Sequence, residues 1–99
     1  MAQTPENRVK AKVKKILDGL GAYHFPAATH GYGRSGVPDF VGCYKGKFFA
    51  IECKANGNKP TALQEREITK IREAWGVALV IDETNVETLT TQLLEGMNE

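Results

Sequence analysis

The stretch Asp39-Phe40-Val41-Gly42-Cys43-Tyr44-Lys45-Gly46-Lys47-Phe48-Phe49-Ala50-Ile51-Glu52-Cys53-Lys54 decides the fold. Two runs rich in aromatic and aliphatic residues, 40–44 and 47–54, flank Lys45-Gly46, which has the length and the glycine of a two-residue hairpin turn. That turn pairs Val41 with Ala50 and Cys43 with Phe48, and sets Asp39 opposite Glu52. Directly opposed side chains on one face of an antiparallel pair have Cβ atoms about 4.5–5.5 Å apart. Lys54 lies two residues past Glu52 and so shares its face. Asp39, Glu52 and Lys54 then cluster at the open end of the hairpin. A four-residue loop preserves this register, whereas a three-residue loop with a bulge separates the carboxylates, so the expectation is tied to the turn.

Outward from the hairpin the elements read in order. Thr4-Pro5-Glu6 is a helix start, with a hydroxyl cap, a proline at the first helical position and an acid in the first turn. Val9, Val13, Ile16, Leu17 and Leu20 place an apolar stripe opposite the lysines, and Gly19 or Gly21 ends the helix. Residues 22–25 are a short strand closed by Pro26. Residues 27–38 hold three glycines and no periodicity, which marks a loop, and loops of about a dozen residues in a compact domain are usually functional. Beyond the hairpin, Thr61-Ala62-Leu63-Gln64 has the form of a capping box, and Leu63, Ile68, Ile71, Ala74 and Trp75 give the helix a buried side. Residues 77–81 form a continuous apolar run that fits a strand buried on both faces. Thr84-Asn85-Val86-Glu87 is a second capping box, opening a last helix with Leu89, Leu93 and Met97. The order α-β-β-β-α-β-α implies an α/β fold: one domain over residues 1–99, with a mixed four-stranded sheet and helices packed against it.

Composition limits the function classes. Ninety-nine residues with 41% hydrophobic and 25% charged residues make one globular domain and exclude disorder and collagen-like repeats. The longest apolar stretch, residues 74–81, is far below the ~20 residues of a membrane span, and the N-terminus lacks the pattern of a secretory signal. A reducing cytoplasm is the expected location. Cys43 and Cys53 fall on opposite faces of the hairpin, so a disulfide between them is not expected, and without a Cys-X-X-Cys spacing they make a poor zinc site. Both read as small core thiols. The net charge of +1 hides an asymmetry: residues 1–60 carry ten Lys/Arg against four Asp/Glu, residues 61–99 three against eight. Arg8, Lys10, Lys12, Lys14 and Lys15 suggest a surface that faces a polyanion, with a solvated helix face as the plainer alternative.

Opposed carboxylates destabilise a sheet unless something compensates them. A divalent cation is the natural partner, because hard oxygen ligands suit Mg2+ or Mn2+ and leave room for water and phosphate oxygens. Such an ion activates water and neutralises charge developing on a phosphodiester. The backbone carbonyl of Cys53 is a candidate third oxygen, and Lys54 is placed to orient the attacking water or to stabilise phosphate charge. The alternative is structural: Asp39 capping a turn after Pro38, and Glu52 simply pairing with Lys54.

Gly36-Val37-Pro38-Asp39, Ile51-Glu52-Cys53-Lys54 and Gln64 resemble the PD-(D/E)XK nuclease superfamily, in particular its small stand-alone VRR-NUC members of phages and bacteria. The resemblance spans nearly the whole chain and runs in family order. It implies a restriction-endonuclease-like fold, with Asp39 and Glu52 as Mg2+ or Mn2+ ligands, Lys54 as the catalytic lysine, and Glu6 and Gln64 as supporting residues. Glu6 is also what a first helical turn favours, and Gln64 is also the reciprocal partner of Thr61 in its cap. The implied activity is an endonuclease selective for branched DNA, similar to Holliday junction resolvases and working as a homodimer. A non-catalytic nucleic-acid-binding module on the same fold is the alternative. Arg34, Tyr32 and Ser35 in the glycine-rich loop, with Lys59, Lys10 and Lys14, are the candidate DNA contacts, Arg34 for phosphate and Tyr32 for stacking. His30 and Tyr32 also read as loop anchors.

Overall fold

A computed structural model describes residues 3–27 and 35–98 of the chain. The hairpin forms as expected. Lys45 and Gly46 both adopt positive φ, 52° and 81°, the requirement of the two-residue turn whose twist matches its strands. The strands β2 (Phe40–Tyr44) and β3 (Lys47–Cys53) pair with Phe40 opposite Ile51, Val41 opposite Ala50 and Cys43 opposite Phe48. Strand β1 (Tyr23–Pro26) adds antiparallel to β2, and β4 (Val77–Ile81) adds parallel to β3, giving the order β1-β2-β3-β4. Pro26 is part of β1 and lies opposite Phe40, which an edge strand tolerates.

The helix α1 (Pro5–Leu20) begins where Thr4 Oγ1 accepts the Asn7 N–H at 3.1 Å and ends where Gly21 turns to φ 74°. Its Val9, Val13 and Leu17 are buried with Phe40, Phe49, Ile51 and Cys53 of the sheet and with Leu89 and Leu93 of α3 (Leu89–Met97). The opposite face carries Ala50, Glu52 and Ala78 beneath α2 (Ala62–Glu73), whose one buried residue is Ile68. No helix of the described residues is long and apolar enough to cross a membrane.

Five local expectations are corrected. Trp75 is 77% exposed, because α2 stops at Glu73 and Trp75 occupies the left-handed position past its end (φ 70°), where helical periodicity no longer aims side chains at the core. Leu63 in the first turn is also exposed. The second capping box does not form: Asp82 Oδ1 accepts both the N–H and the hydroxyl of Thr84, at 2.8 and 2.6 Å, and a short 3-10 turn (Val86–Thr88) precedes α3. Of the two free thiols only Cys53 is buried, since Cys43 lies on the part of the sheet face that α2 leaves open. Finally, β4 is an edge strand, so Leu79 and Val80 are half-buried. Its outward carbonyls are covered instead: Arg72 donates to Ala78 O at 2.8 Å and Asn85 Nδ2 to Val80 O at 3.1 Å.

Candidate active site

The two-residue turn carries the register to the open end of the hairpin, where Asp39, one residue before β2, meets the end of β3. Three contacts fix it there. Its carbonyl accepts the Ala27 N–H at 2.9 Å, its Oδ2 accepts the Cys53 N–H at 2.8 Å, and its Oδ1 lies 3.4 Å from Lys10 Nζ. Gly36 sets the approach of this segment. Its φ is +80°, and a Cβ there would stand 2.6 Å from the backbone carbonyl carbon and oxygen of Leu63, so the Gly36-Val37-Pro38 run is pressed onto the first turn of α2.

Glu52 is the only buried charged residue among those described, 2% exposed. Its Oε2 pairs with Lys54 Nζ at 3.2 Å, while its Oε1 is buried without a hydrogen-bond partner. Burial first, and then the negative charge of Asp39, push its carboxyl up to about 7 against the pull of Lys54. The same burial, followed by the charges of Asp39 and Glu52, pushes the Cys53 thiol well above its ordinary value, so it is a neutral core group. An orphaned carboxylate oxygen next to a second carboxylate needs a proton or a cation.

Lys10 joins the cluster from α1. It lies 3.7 Å from Glu6 Oε2, one helical turn earlier, as well as near Asp39. Burial lowers its pKa, but attraction and hydrogen bonding to Asp39, with the charge of Glu6, outweigh that and hold it above its ordinary value. Sequence reading placed Lys10 among the DNA contacts and missed this role. The available signal was the Glu6/Lys10 spacing of four, which puts both on one helix face.

The remaining candidates are placed differently. Gln64 Oε1 accepts the Thr61 N–H at 2.9 Å while Gln64 N donates to Thr61 Oγ1 at 3.2 Å; among the described residues no hydrogen bond joins it to Asp39, Glu52 or Lys54. Lys14, one turn along α1 from Lys10, pairs with Asp18 at 2.9 Å on the turn beyond, and His24 Nε2 approaches the other oxygen of Asp18 at 2.6 Å. Ser35 and Lys59 are exposed. His30, Tyr32 and Arg34 lie outside the described residues.

No group of three His, Cys, Asp or Glu side chains among the described residues is arranged to hold a metal ion. Two carboxylates are what Mg2+ ordinarily takes from a protein, with main chain, water and substrate oxygens supplying the rest. The unpartnered Glu52 Oε1 beside Asp39 fits such a cation.

A mixed four-stranded sheet in this order, with flanking helices and a C-terminal helix, is a restriction-endonuclease-like fold. The family model "Archaeal holliday junction resolvase (hjc)" matches residues 6–78, and the chain belongs to that family. It is 35% identical over 85 residues, 85% of each chain, to a protein described as "Putative nuclease p44" from Acyrthosiphon pisum secondary endosymbiont phage 1. A solved structure described as "VRR_NUC domain" superimposes with a TM-score of 0.74 at 26% identity, over 90% of this chain and 97% of that one.

Proposed function

We propose that this nuclease is a divalent-metal-dependent endodeoxyribonuclease that cuts branched DNA, the four-way junction foremost, as a homodimer. One observation carries the metal reading: a buried glutamate oxygen without a partner, next to a second carboxylate, at the open end of the hairpin. Asp39, Glu52 and the Cys53 carbonyl would hold Mg2+ or Mn2+. That ion, when bound, would acidify a water and offset charge on the phosphodiester.

The chain's own residues have separable tasks. Lys54 anchors Glu52 as a carboxylate and presents an ammonium at the reacting phosphate, where it orients the attacking water and neutralises developing charge. The Cys53 N–H holds the Asp39 carboxylate in one orientation. Arg34, Tyr32, Ser35, Lys59 and Lys14 are the proposed DNA contacts, with Glu6 and Gln64 in support. Membership of a family described as a Holliday junction resolvase supports the branched substrate, and a four-way junction must be cut on two strands, a task that suits a two-fold dimer. The test is a panel of labelled four-way junctions, flaps, nicked and linear duplexes with Mg2+, Mn2+ or EDTA. Metal-dependent cutting concentrated on the junction supports the proposal. Binding that is indifferent to chelator, without cutting of any substrate, overturns it.

A further inference from the structure

We infer that Lys10 is a built-in counter-ion that holds Asp39 in the metal-free protein, competes with the entering divalent cation, and thereby sets the metal affinity of the site. The inference rests on the metal reading above. Of the two Asp39 oxygens, Oδ2 is committed to the Cys53 N–H at 2.8 Å. The oxygen that can turn to a metal without breaking that main-chain bond is Oδ1, and Lys10 Nζ lies 3.4 Å from it. Glu52 shows the contrast: Lys54 takes Oε2, and Oε1 is left without a partner. One of the two proposed ligand oxygens is therefore without a protein partner, and the other lies beside a lysine.

The arrangement also supplies Lys10 with somewhere to go. Glu6 Oε2 lies 3.7 Å from the same ammonium, on the preceding turn of α1. When Asp39 Oδ1 turns to a cation, Lys10 keeps an anionic partner and remains at the rim of the site. The Lys10 and Asp39 side chains are 35% and 23% exposed, sheltered enough for the pairing to count and open enough for it to exchange. A lysine that only touched DNA phosphate would not be held by two acids of the site.

The experiment is direct Mn2+ binding without DNA, read by the electron paramagnetic resonance of free Mn2+, for wild type, Lys10→Met, Lys10→Gln, Lys10→Arg and Glu52→Gln. Methionine and glutamine keep the helix and most of the side-chain volume, and a thermal melt of each variant checks the fold. Both neutral variants are expected to bind Mn2+ about tenfold more tightly than wild type, about 1.4 kcal/mol. Lys10→Arg stays within about twofold of wild type, and Glu52→Gln loses binding. A merely structural role for Lys10 would leave affinity unchanged or weaken it. Unchanged or weaker binding by Lys10→Met and Lys10→Gln, with Glu52→Gln still defective, overturns the inference and spares the site. Absence of Mn2+ binding by wild type, or wild-type binding by Glu52→Gln, overturns the metal reading beneath it.

Discussion

Replacing Glu52 by glutamine is expected to stabilise the metal-free protein at pH 8 while removing its activity. The folded carboxyl sits at about 7 against an ordinary 4.5. Below pH 4.5 the group is protonated in both folded and unfolded chains and contributes nothing. Between 4.5 and 7 the folded protein holds a proton that the unfolded chain has released, so stability falls as pH rises, and above 7 the loss is complete. At about 1.4 kcal/mol per pKa unit, the cost at pH 8 is about 3 kcal/mol. Glutamine removes that cost, and the pull of Lys54 at 3.2 Å is already contained in the value of about 7, so the gain is about 3 kcal/mol, a rise in melting temperature on the order of 10 °C for a domain of this size. At pH 5, where wild-type Glu52 is mostly protonated when folded, the gain shrinks to under about 1 kcal/mol. Differential scanning calorimetry of both proteins at the two pH values, with chelator present, measures the difference. A variant that is equally or less stable than wild type at pH 8, or a gain independent of pH, would refute the assignment of Glu52 as a strained, orphaned anion.

Three further perturbations probe the same architecture. Lys54→Met leaves Glu52 buried without its cation; the carboxyl, already at about 7, then takes up a proton, so stability at pH 8 should fall by about 1–2 kcal/mol and less at pH 5, as read by urea unfolding at each pH. Gly36→Ala forces a Cβ against the Leu63 backbone at a φ of +80°; it should cost about 1–3 kcal/mol in thermal melts and displace Asp39, seen as weaker Mn2+ binding. Trp75→Gly relieves a bulky residue held at φ 70° while giving up a side chain that is 77% exposed, so unfolding midpoints should stay level or rise by up to about 1 kcal/mol despite the loss of a large aromatic.

What could be read in the chain follows the range of the forces involved. The hairpin register was legible because Lys45-Gly46 is a local turn with one dominant solution, and alternation then carried Asp39, Glu52 and Lys54 to one end. The first and second helices announced themselves through Thr4 and Thr61, whose caps involve only neighbours three residues away. Trp75 was misread because a helix stop of the Ala74-Trp75-Gly76 kind puts a non-glycine residue in the left-handed position, and periodicity alone runs through it. Thr84 to Glu87 matches a capping pattern, yet Asp82 sits two residues earlier and captures the Thr84 hydroxyl first. Cys43 required knowing how far α2 extends across the sheet. Lys10 required knowing which end of the sheet receives the first turns of α1, a tertiary fact that no local pattern contains. Glu6 and Gln64 show the limit for supporting residues: the first reaches Asp39 through Lys10, and the second has its side-chain oxygen in the α2 cap.

The central claim, that Asp39 and Glu52 form a metal-dependent phosphodiesterase centre, is tested most directly by the single-turnover cleavage rate of a synthetic four-way junction with Mg2+, for wild type and Asp39→Asn. Asparagine keeps an oxygen for the Cys53 N–H and removes the charge. Wild type is expected to cut in a manner that EDTA abolishes, and Asp39→Asn to cut at a rate lower by at least about a hundredfold. Equal rates for the two proteins, or wild-type cutting that survives EDTA, would contradict the claim.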